Sequence, residues 1–142
     1  MRSLKIFLFL CFVAVFSSTA QAQVYKFLTT GFSVMERNDR GDWGKWSDLK
    51  EASIVITLDT NKNRIVVYSQ EIQLYNIVKY QPEEENDTDI INAFSCSDDD
   101  GQPFTVSIIT RKNQGNRKQL YVNQKDFIIV YNIVNHVDKN HQ

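Results

Sequence analysis

The stretch that decides the fold is Ser53 to Tyr80, SIVITLDTNKNRIVVYSQEIQLYNIVKY. Two runs rich in Val, Ile and Tyr flank the turn-like sequence Thr60-Asn61-Lys62-Asn63, and the second run leads into a third. The apolar side chains at 54, 56 and 58 (Ile, Ile, Leu) alternate with the Ser, Val and Thr side chains at 53, 55 and 57. This is the period-two pattern of a half-buried strand. The stretch therefore predicts a meander of antiparallel strands.

The rest of the chain repeats this pattern. Strand-like runs recur at roughly 8–12-residue spacing, with turn residues between them and no crossover helix, which is typical of a barrel or a sandwich. The predicted strands, eight in all, cover 25–36, 53–59, 64–69, 71–80, 90–96, 103–111, 118–123 and 126–134. Several are apolar on both faces, and closure removes exposed edges, so the sequence favours an all-β fold, a small antiparallel barrel of the lipocalin or calycin kind, over a sandwich.

Three local features add detail to this prediction. Gly31, inside the first strand, predicts a bulge or a close approach of another backbone. Trp46 to Ala52 (WSDLKEA) predicts one helical turn capped by Ser47 or Asp48. Asp98-Asp99-Asp100-Gly101 predicts a hairpin turn of the Asp-Gly kind.

The beginning of the chain predicts export. Arg2 and Lys5 precede the apolar run Ile6 to Phe16, and Ala20-Gln21-Ala22 is a small-x-small cleavage pattern, so residues 1–22 are interpreted as a signal peptide. Removing them from the 142-residue chain leaves 120 residues, 23–142, which suits a single β domain with a polar, frayed tail at 135–142. We expect a periplasmic or secreted protein.

Charge and cysteine content exclude several classes of function. Without Arg2 and Lys5 the 16 basic residues become 14, against 17 acidic ones, a net charge of −3 with His neutral. This balance predicts no nucleic-acid partner and, with no later apolar run long enough to span a bilayer, no membrane insertion. Cys96 is the one cysteine after residue 22, so no disulfide can form within the domain, and we interpret it as a buried small side chain.

Catalytic and metal-binding patterns are missing from the sequence. The two histidines, His136 and His141, both fall in the polar tail, where no scaffold holds them for nucleophilic catalysis or zinc binding. Asp59-x-Asn61-x-Asn63 copies the start of a calcium loop, but Arg64 and Gln70 replace its essential Gly and Glu, so a polar hairpin turn is favoured. We predict no catalytic residues, no metal and no cofactor, and a protein that is not an enzyme.

Trp43 and Trp46 are the candidate ligand-binding residues. On a β scaffold, exposed indoles form a platform for a sugar ring or a wall for an apolar ligand, and the alternative is that they plug the end of the barrel. The flanking Gly41-x-Trp43 and Gly44-x-Trp46 resemble the Gly-x-Trp signature of lipocalins, whose barrels hold small hydrophobic ligands. In lipocalins this signature opens the first strand, whereas here a whole strand precedes it.

A broader likeness covers nearly all of residues 23–142. Its pattern of strands is similar to that of a group of small exported proteins of Gram-negative gut bacteria that carry no assigned function. The segments that carry the likeness are Trp46, 54–59, 64–69, 73–77, 96–98, 120–122 and 130–132. The resemblance implies a periplasmic or secreted setting and no activity.

Together these features predict a non-catalytic binding module for a small apolar or glycan-like ligand, using the barrel end near Trp43 and Trp46. The alternative is a protein–protein interaction module whose apolar sheet face docks on another chain, such as a second copy in a homo-oligomer. A cavity open beside either tryptophan favours the first hypothesis, and an exposed apolar face favours the second.

Overall fold

The computed structural model describes residues 23–136, so the expected signal peptide and positions 137–142 of the expected tail lie outside it. Alternating apolar side chains produce strands throughout this range, and one short 3₁₀ helix, Lys112–Gln114, interrupts them. The strands are β1 Val24–Glu36, β2 Lys50–Glu51, β3 Val55–Asp59, β4 Arg64–Tyr68, β5 Ile72–Tyr80, β6 Glu84–Glu85, β7 Asp89–Ser97, β8 Pro103–Arg111, β9 Arg117–Asn123 and β10 Phe127–Asn135.

Eight of these strands close into an antiparallel barrel, as the sequence predicts. The neighbours run in the order β1, β3, β4, β5, β7, β8, β9, β10, and β10 pairs back onto β1. The closing seam is long, from Phe27 opposite Asn135 to Glu36 opposite Phe127. The two-residue strands β2 and β6 pair with β1 and β7 outside this circle.

The inward side chains of the eight strands form one apolar core. Its most deeply buried members, at 0–1% exposure, come from the middle of β3, β4, β8 and β9, so side chains fill the centre of the barrel. These members are Ile56, Ile65, Val67, Val106, Leu120 and Val122. Cys96 also lies in the core at 2% exposure, which confirms its interpretation as a buried side chain.

The bulge predicted at Gly31 is present in β1. The pairing with β10 shifts register between Thr29 and Gly31, so that Phe27 and Thr29 point inward before the bulge and Phe32 points inward after it. A Cβ atom on Gly31 would lie 3.0 Å from the carbonyl oxygen of Lys50, which is the close backbone approach that the glycine permits.

The helical turn predicted for Trp46 to Ala52 is wrong. This segment runs extended beside β1: the Ser47 amide donates to the Val34 carbonyl over 2.8 Å, and Lys50 in β2 pairs with Phe32. The Ser47 hydroxyl accepts a hydrogen bond from the Val34 amide rather than capping a helix. Backbone groups on the free edge of β1 therefore outweigh the weak local helix preference.

Candidate functional site

The two ends of the barrel differ in their loops. One end, here called the Trp end, carries the connections 37–49, 69–71, 98–102 and 124–126. The other, here called the turn end, carries the connections 60–63, 81–83 and 112–116. Acidic residues cluster at 83–89 and at 98–100, and these two clusters lie at opposite ends of β7.

A tight turn sends the chain back along β1 at the Trp end. The Asn38 side-chain oxygen accepts hydrogen bonds from the amides of Arg40 and Asp42, both over 2.9 Å, and Gly41 has a positive φ of 83°. The Gly44 amide then donates to the Glu36 carbonyl over 2.8 Å. These bonds hold residues 43–49, here called the tryptophan segment, against the end of β1.

Trp43 and Trp46 are both exposed at this end, with 39% and 43% of their surface accessible, and neither belongs to the core. The Arg37 guanidinium carbon lies 4.7 Å from the centroid of the Trp43 ring, a cation–π contact that fixes one face of that indole. The indoles therefore do not plug the barrel.

A cleft of about 570 Å³ opens between β1 and the tryptophan segment. We call it the Trp cleft. Phe32 and Val34 supply apolar surface, and the remaining lining is mostly polar: Glu36, Arg37, Asn38, Gly44, Lys45, Ser47 and Lys50. The two indoles belong to the same segment as Gly44, Lys45 and Ser47, but they flank the cleft rather than line it. The cleft thus combines an apolar floor with several hydrogen-bonding side chains.

A second cleft of about 450 Å³ lies at the same end, between the start of β5, the 98–100 turn and β10. Tyr75 and Tyr131 line it, and burial raises the pKa of both phenols, with the proximity of Tyr131 adding to the shift at Tyr75. The Phe32 and Tyr131 ring centroids are 6.1 Å apart, so this aromatic pair stands between the two clefts. The sequence alone does not single out either tyrosine, because a strand position is enough to explain each of them.

The residues considered for catalysis and metal binding do not converge. His136 lies just beyond β10, with its backbone amide bonded to the Lys26 carbonyl over 2.9 Å, and His141 is outside the described range. The Asp59 carboxylate accepts hydrogen bonds from the amides of Asn61 and Lys62 at 3.0 Å, which makes the 59–63 segment the polar hairpin turn that was expected. Among residues 23–136, no group of three His, Cys, Asp or Glu side chains could hold a metal ion.

Cys96 is poorly suited to nucleophilic chemistry. Burial raises its thiol pKa to about 11, and its sulfur lies 3.7 Å from the Phe94 carbonyl oxygen, to which the thiol donates.

Within residues 23–136, no helix combines the length and the apolar character needed to cross a membrane.

No family model, curated protein or solved structure matches this chain. The barrel and the geometry of its ends are therefore the observations that bear on function. At the Trp end these are two exposed indoles, a cleft with a mixed lining, and hydrogen-bonding groups held by backbone contacts to β1. Such an arrangement can bind a small molecule without transforming it.

Proposed function

We propose that this chain is an exported, non-catalytic binding module for a small ligand, with its site at the Trp end around Trp43 and Trp46. The observation that carries the proposal is the pair of exposed indoles beside the polar Trp cleft. Large apolar rings normally leave water when nothing else requires their exposure, so a partner surface is the simplest reason for both to remain accessible.

The lining of the Trp cleft favours a glycan-like ligand over a purely apolar one. Sugar rings present apolar faces that stack on indoles and hydroxyl groups that need donors and acceptors, and the cleft supplies both kinds of group. A small apolar ligand would need an enclosed apolar chamber, whereas packed side chains fill the centre of this barrel.

The absence of catalysis is part of the proposal. Glycoside hydrolysis ordinarily requires two carboxyl groups facing one bond, and Glu36 is the one carboxylate that lines the Trp cleft in the described part of the chain. A glycan held there meets binding groups rather than an acid–base pair.

Native mass spectrometry of the protein isolated from its exported fraction without refolding tests the proposal directly. We expect an adduct of a few hundred daltons that is lost on denaturation. Both tryptophans of the sequence lie at the site, so intrinsic fluorescence reports binding of chitotetraose, cellotetraose or maltotetraose without a label. The Trp43→Ala and Trp46→Ala variants should each weaken binding roughly two- to tenfold.

Tyr68→Ala is the matched control, because Tyr68 is exposed on the outside of β4 and lines neither cleft. It should bind the same oligosaccharide with unchanged affinity. A bare protein in the mass spectrum, together with no fluorescence change for any of the oligosaccharides, would overturn the glycan proposal.

A second candidate function, self-association, is supported by an apolar row on the outer wall. Leu28 in β1 is paired with Val134 in β10 and with Val55 in β3. The row continues on the next two strands, where Tyr68 in β4 is paired with Ile72 in β5. Ile72 and Tyr68 are 66% and 48% exposed, which is unusual for paired strand residues with no partner. Sedimentation velocity tests this function: a dimer that Ile72→Glu converts to monomer supports it, and a monomer at all concentrations contradicts it.

A further inference from the structure

We propose that the turn end of the barrel, opposite the tryptophans, is a second binding site for a small amphipathic carboxylate, whose charged group binds Lys118. The site is a cavity of about 340 Å³ in the mouth between β1, β5 and the strands β7 to β9. Its lining residues are Tyr25, Phe27, Leu58, Thr60, Tyr80, Asn92, Phe94, Ile108, Thr110 and Lys118.

The floor of this cavity is apolar and open to the mouth. It consists of Phe27, Leu58, Phe94 and Ile108, each of which keeps 6–7% of its surface accessible, whereas core residues at the centre of the barrel keep 0–1%. The Tyr80 ring meets the Phe94 ring edge-on, with centroids 5.8 Å apart, and extends the apolar surface to the rim. This floor fits the flat or aliphatic body of a small molecule.

Three polar side chains converge on one wall above this floor. Thr110 and Lys118 are directly opposite each other in the β8–β9 pairing, and Asn92 lies on the neighbouring strand β7 opposite Ile108. All three are half-buried and face inward, because they alternate along their strands with outward residues. Among residues 23–136, none of their side chains has a hydrogen-bond or ion-pair partner, although Tyr80 and Tyr25 at the rim bond to Asn63 and Gln23.

The positive charge that lines this cavity favours an anionic ligand. Lys118 is the one charged residue in the lining, and no carboxylate of the described chain lies within ion-pair distance of its ammonium group. Asp59, which neighbours Tyr80 at the rim, points away and caps its own turn through the amides of Asn61 and Lys62. The Lys118 ammonium, the Thr110 hydroxyl and the Asn92 amide are all hydrogen-bond donors that make no bond within the described chain, and a carboxylate can accept from such donors.

The size of the cavity limits the ligand to a body of one or two rings or a short acyl chain. A carboxylate on such a body would place its apolar part on the floor and its oxygens at the polar wall. This site is separate from the proposed glycan site, because the Trp cleft and the turn-end cavity share no lining residue and lie at opposite ends of a filled barrel.

A titration of the 15N-labelled chain 23–142 with 2-naphthoate, followed by NMR, tests the inference. We expect saturable shifts of amides around Phe94, Ile108 and Lys118, with binding that is roughly tenfold to hundredfold weaker for the neutral analogue 2-naphthalenemethanol. This comparison of two probes uses the unaltered protein, so it decides the matter even if a variant fails to fold.

Lys118→Gln should weaken 2-naphthoate binding by the same roughly tenfold to hundredfold and leave binding of 2-naphthalenemethanol unchanged. Lys26→Gln is the matched control, since Lys26 is exposed on the outward face of β1 near the same end, and it should bind 2-naphthoate normally. Trp43→Ala and Trp46→Ala should also bind it normally, which separates this site from the proposed glycan site. Equal affinity for the two probes, or shifts confined to the Trp end, would overturn the inference.

Discussion

At the scale of single residues, Thr29 carries a specific structural role. Apart from the tyrosine phenols and the Cys96 thiol, it is the one buried polar side chain between residues 23 and 136, at 1% exposure. Its hydroxyl donates to the Ala52 carbonyl over 2.6 Å and accepts from the Ile54 amide over 2.8 Å. The Thr29 hydroxyl therefore adds to the backbone hydrogen bond from the Thr29 amide to the Ile54 carbonyl at the point where the chain enters β3, and it satisfies two partly buried backbone groups.

Thr29→Val removes both hydrogen bonds while keeping the size and branching of the side chain. We expect the free energy of unfolding to fall by about 1–3 kcal/mol, because the Ala52 carbonyl and the Ile54 amide lose their partner. Urea denaturation measures the change. Thr57→Val is the control, since Thr57 faces outward on β3 and makes no side-chain hydrogen bond in the described chain; an equal loss in both variants would contradict the assigned role.

Cys96 should make stability depend on pH in the alkaline range. An unfolded thiol has a pKa of about 8.5, and burial raises the pKa of the folded thiol to about 11. The folded state keeps its proton longer, so the contribution is complete below pH ~8.5 and is lost as the pH rises toward 11. The free energy of unfolding should fall between pH 9 and pH 10 by up to about 1.4 kcal/mol more in the wild type than in Cys96→Ala. Parallel curves for the two proteins would show that the thiol is not buried in this way.

At the scale of elements, two turns with the same chemistry shape the Trp end. Asn38 and Asp98 each accept hydrogen bonds through a side-chain oxygen from the amides two and four residues later, and the residue three places on is a glycine with positive φ. The second of these is the predicted Asp-Gly hairpin turn: the Gly101 amide donates to the Asp98 carbonyl over 3.0 Å, and Gly101 is left-handed. The first has no regular strand after it, and the tryptophan segment follows it instead.

Gly31 determines how closely the tryptophan segment and β2 approach β1. Gly31→Ala would place a Cβ atom 3.0 Å from the Lys50 carbonyl oxygen and 3.2 Å from a methyl carbon of Leu49. Because a backbone atom must move, we expect a loss of about 1–3 kcal/mol in the free energy of unfolding. The intrinsic fluorescence of Trp43 and Trp46 should change as their segment shifts.

Ser33→Ala, on the same strand, is the control for this prediction. The Ser33 side chain makes no hydrogen bond in the described chain, and the substitution adds no volume. It should leave both stability and fluorescence near their wild-type values. A Gly31→Ala variant of wild-type stability would show that β2 can move away from β1 without cost.

At the scale of the whole molecule, closure leaves the barrel without a free edge along the seam. β1 and β10 pair over the whole of β10, from Phe127 to Asn135, so the first and last strands of the domain protect each other. β3 and β4 have five residues each and are shorter than the flanking strands β1 and β5, so the barrel wall is shorter on that side. The tryptophan segment and the 69–71 connection lie on that side. The open mouths are at the two ends, where both proposed sites lie.

Native-state hydrogen exchange tests this closure. Amides of β1 and β10 should exchange with a protection close to that of the central strand β8, because all eight strands open in one cooperative unit. Residues 45–49, which have few backbone bonds, should exchange fastest. Protection of β1 and β10 that falls well below that of β8 would indicate an open seam.

The sequence determined the class of fold because strand formation here depends on local patterns. Period-two alternation in 53–80, the Asp59 and Asp98 turns and the glycine in the first strand each specify a local geometry that the structure contains. The helical turn predicted for Trp46 to Ala52 is wrong because that prediction used local preference alone. A modest helix preference cannot compete with backbone hydrogen bonds to β1, which precedes this segment in the sequence and lies beside it only in the folded barrel.

Tertiary structure alone decided where the side chains of the candidate sites meet. Bulges near Gly31 in β1 and Val78 in β5 shift the alternation, which turns Phe32 and Tyr80 inward although the uninterrupted pattern places Tyr80 with the outward Leu74. The closure of the seam then brings Phe32 beside Tyr131, and the register of β7, β8 and β9 places Asn92, Thr110 and Lys118 around the turn-end cavity. The sequence marked Trp43 and Trp46 because tryptophan is conspicuous on its own, whereas a cavity exists only through residues that register and closure bring together.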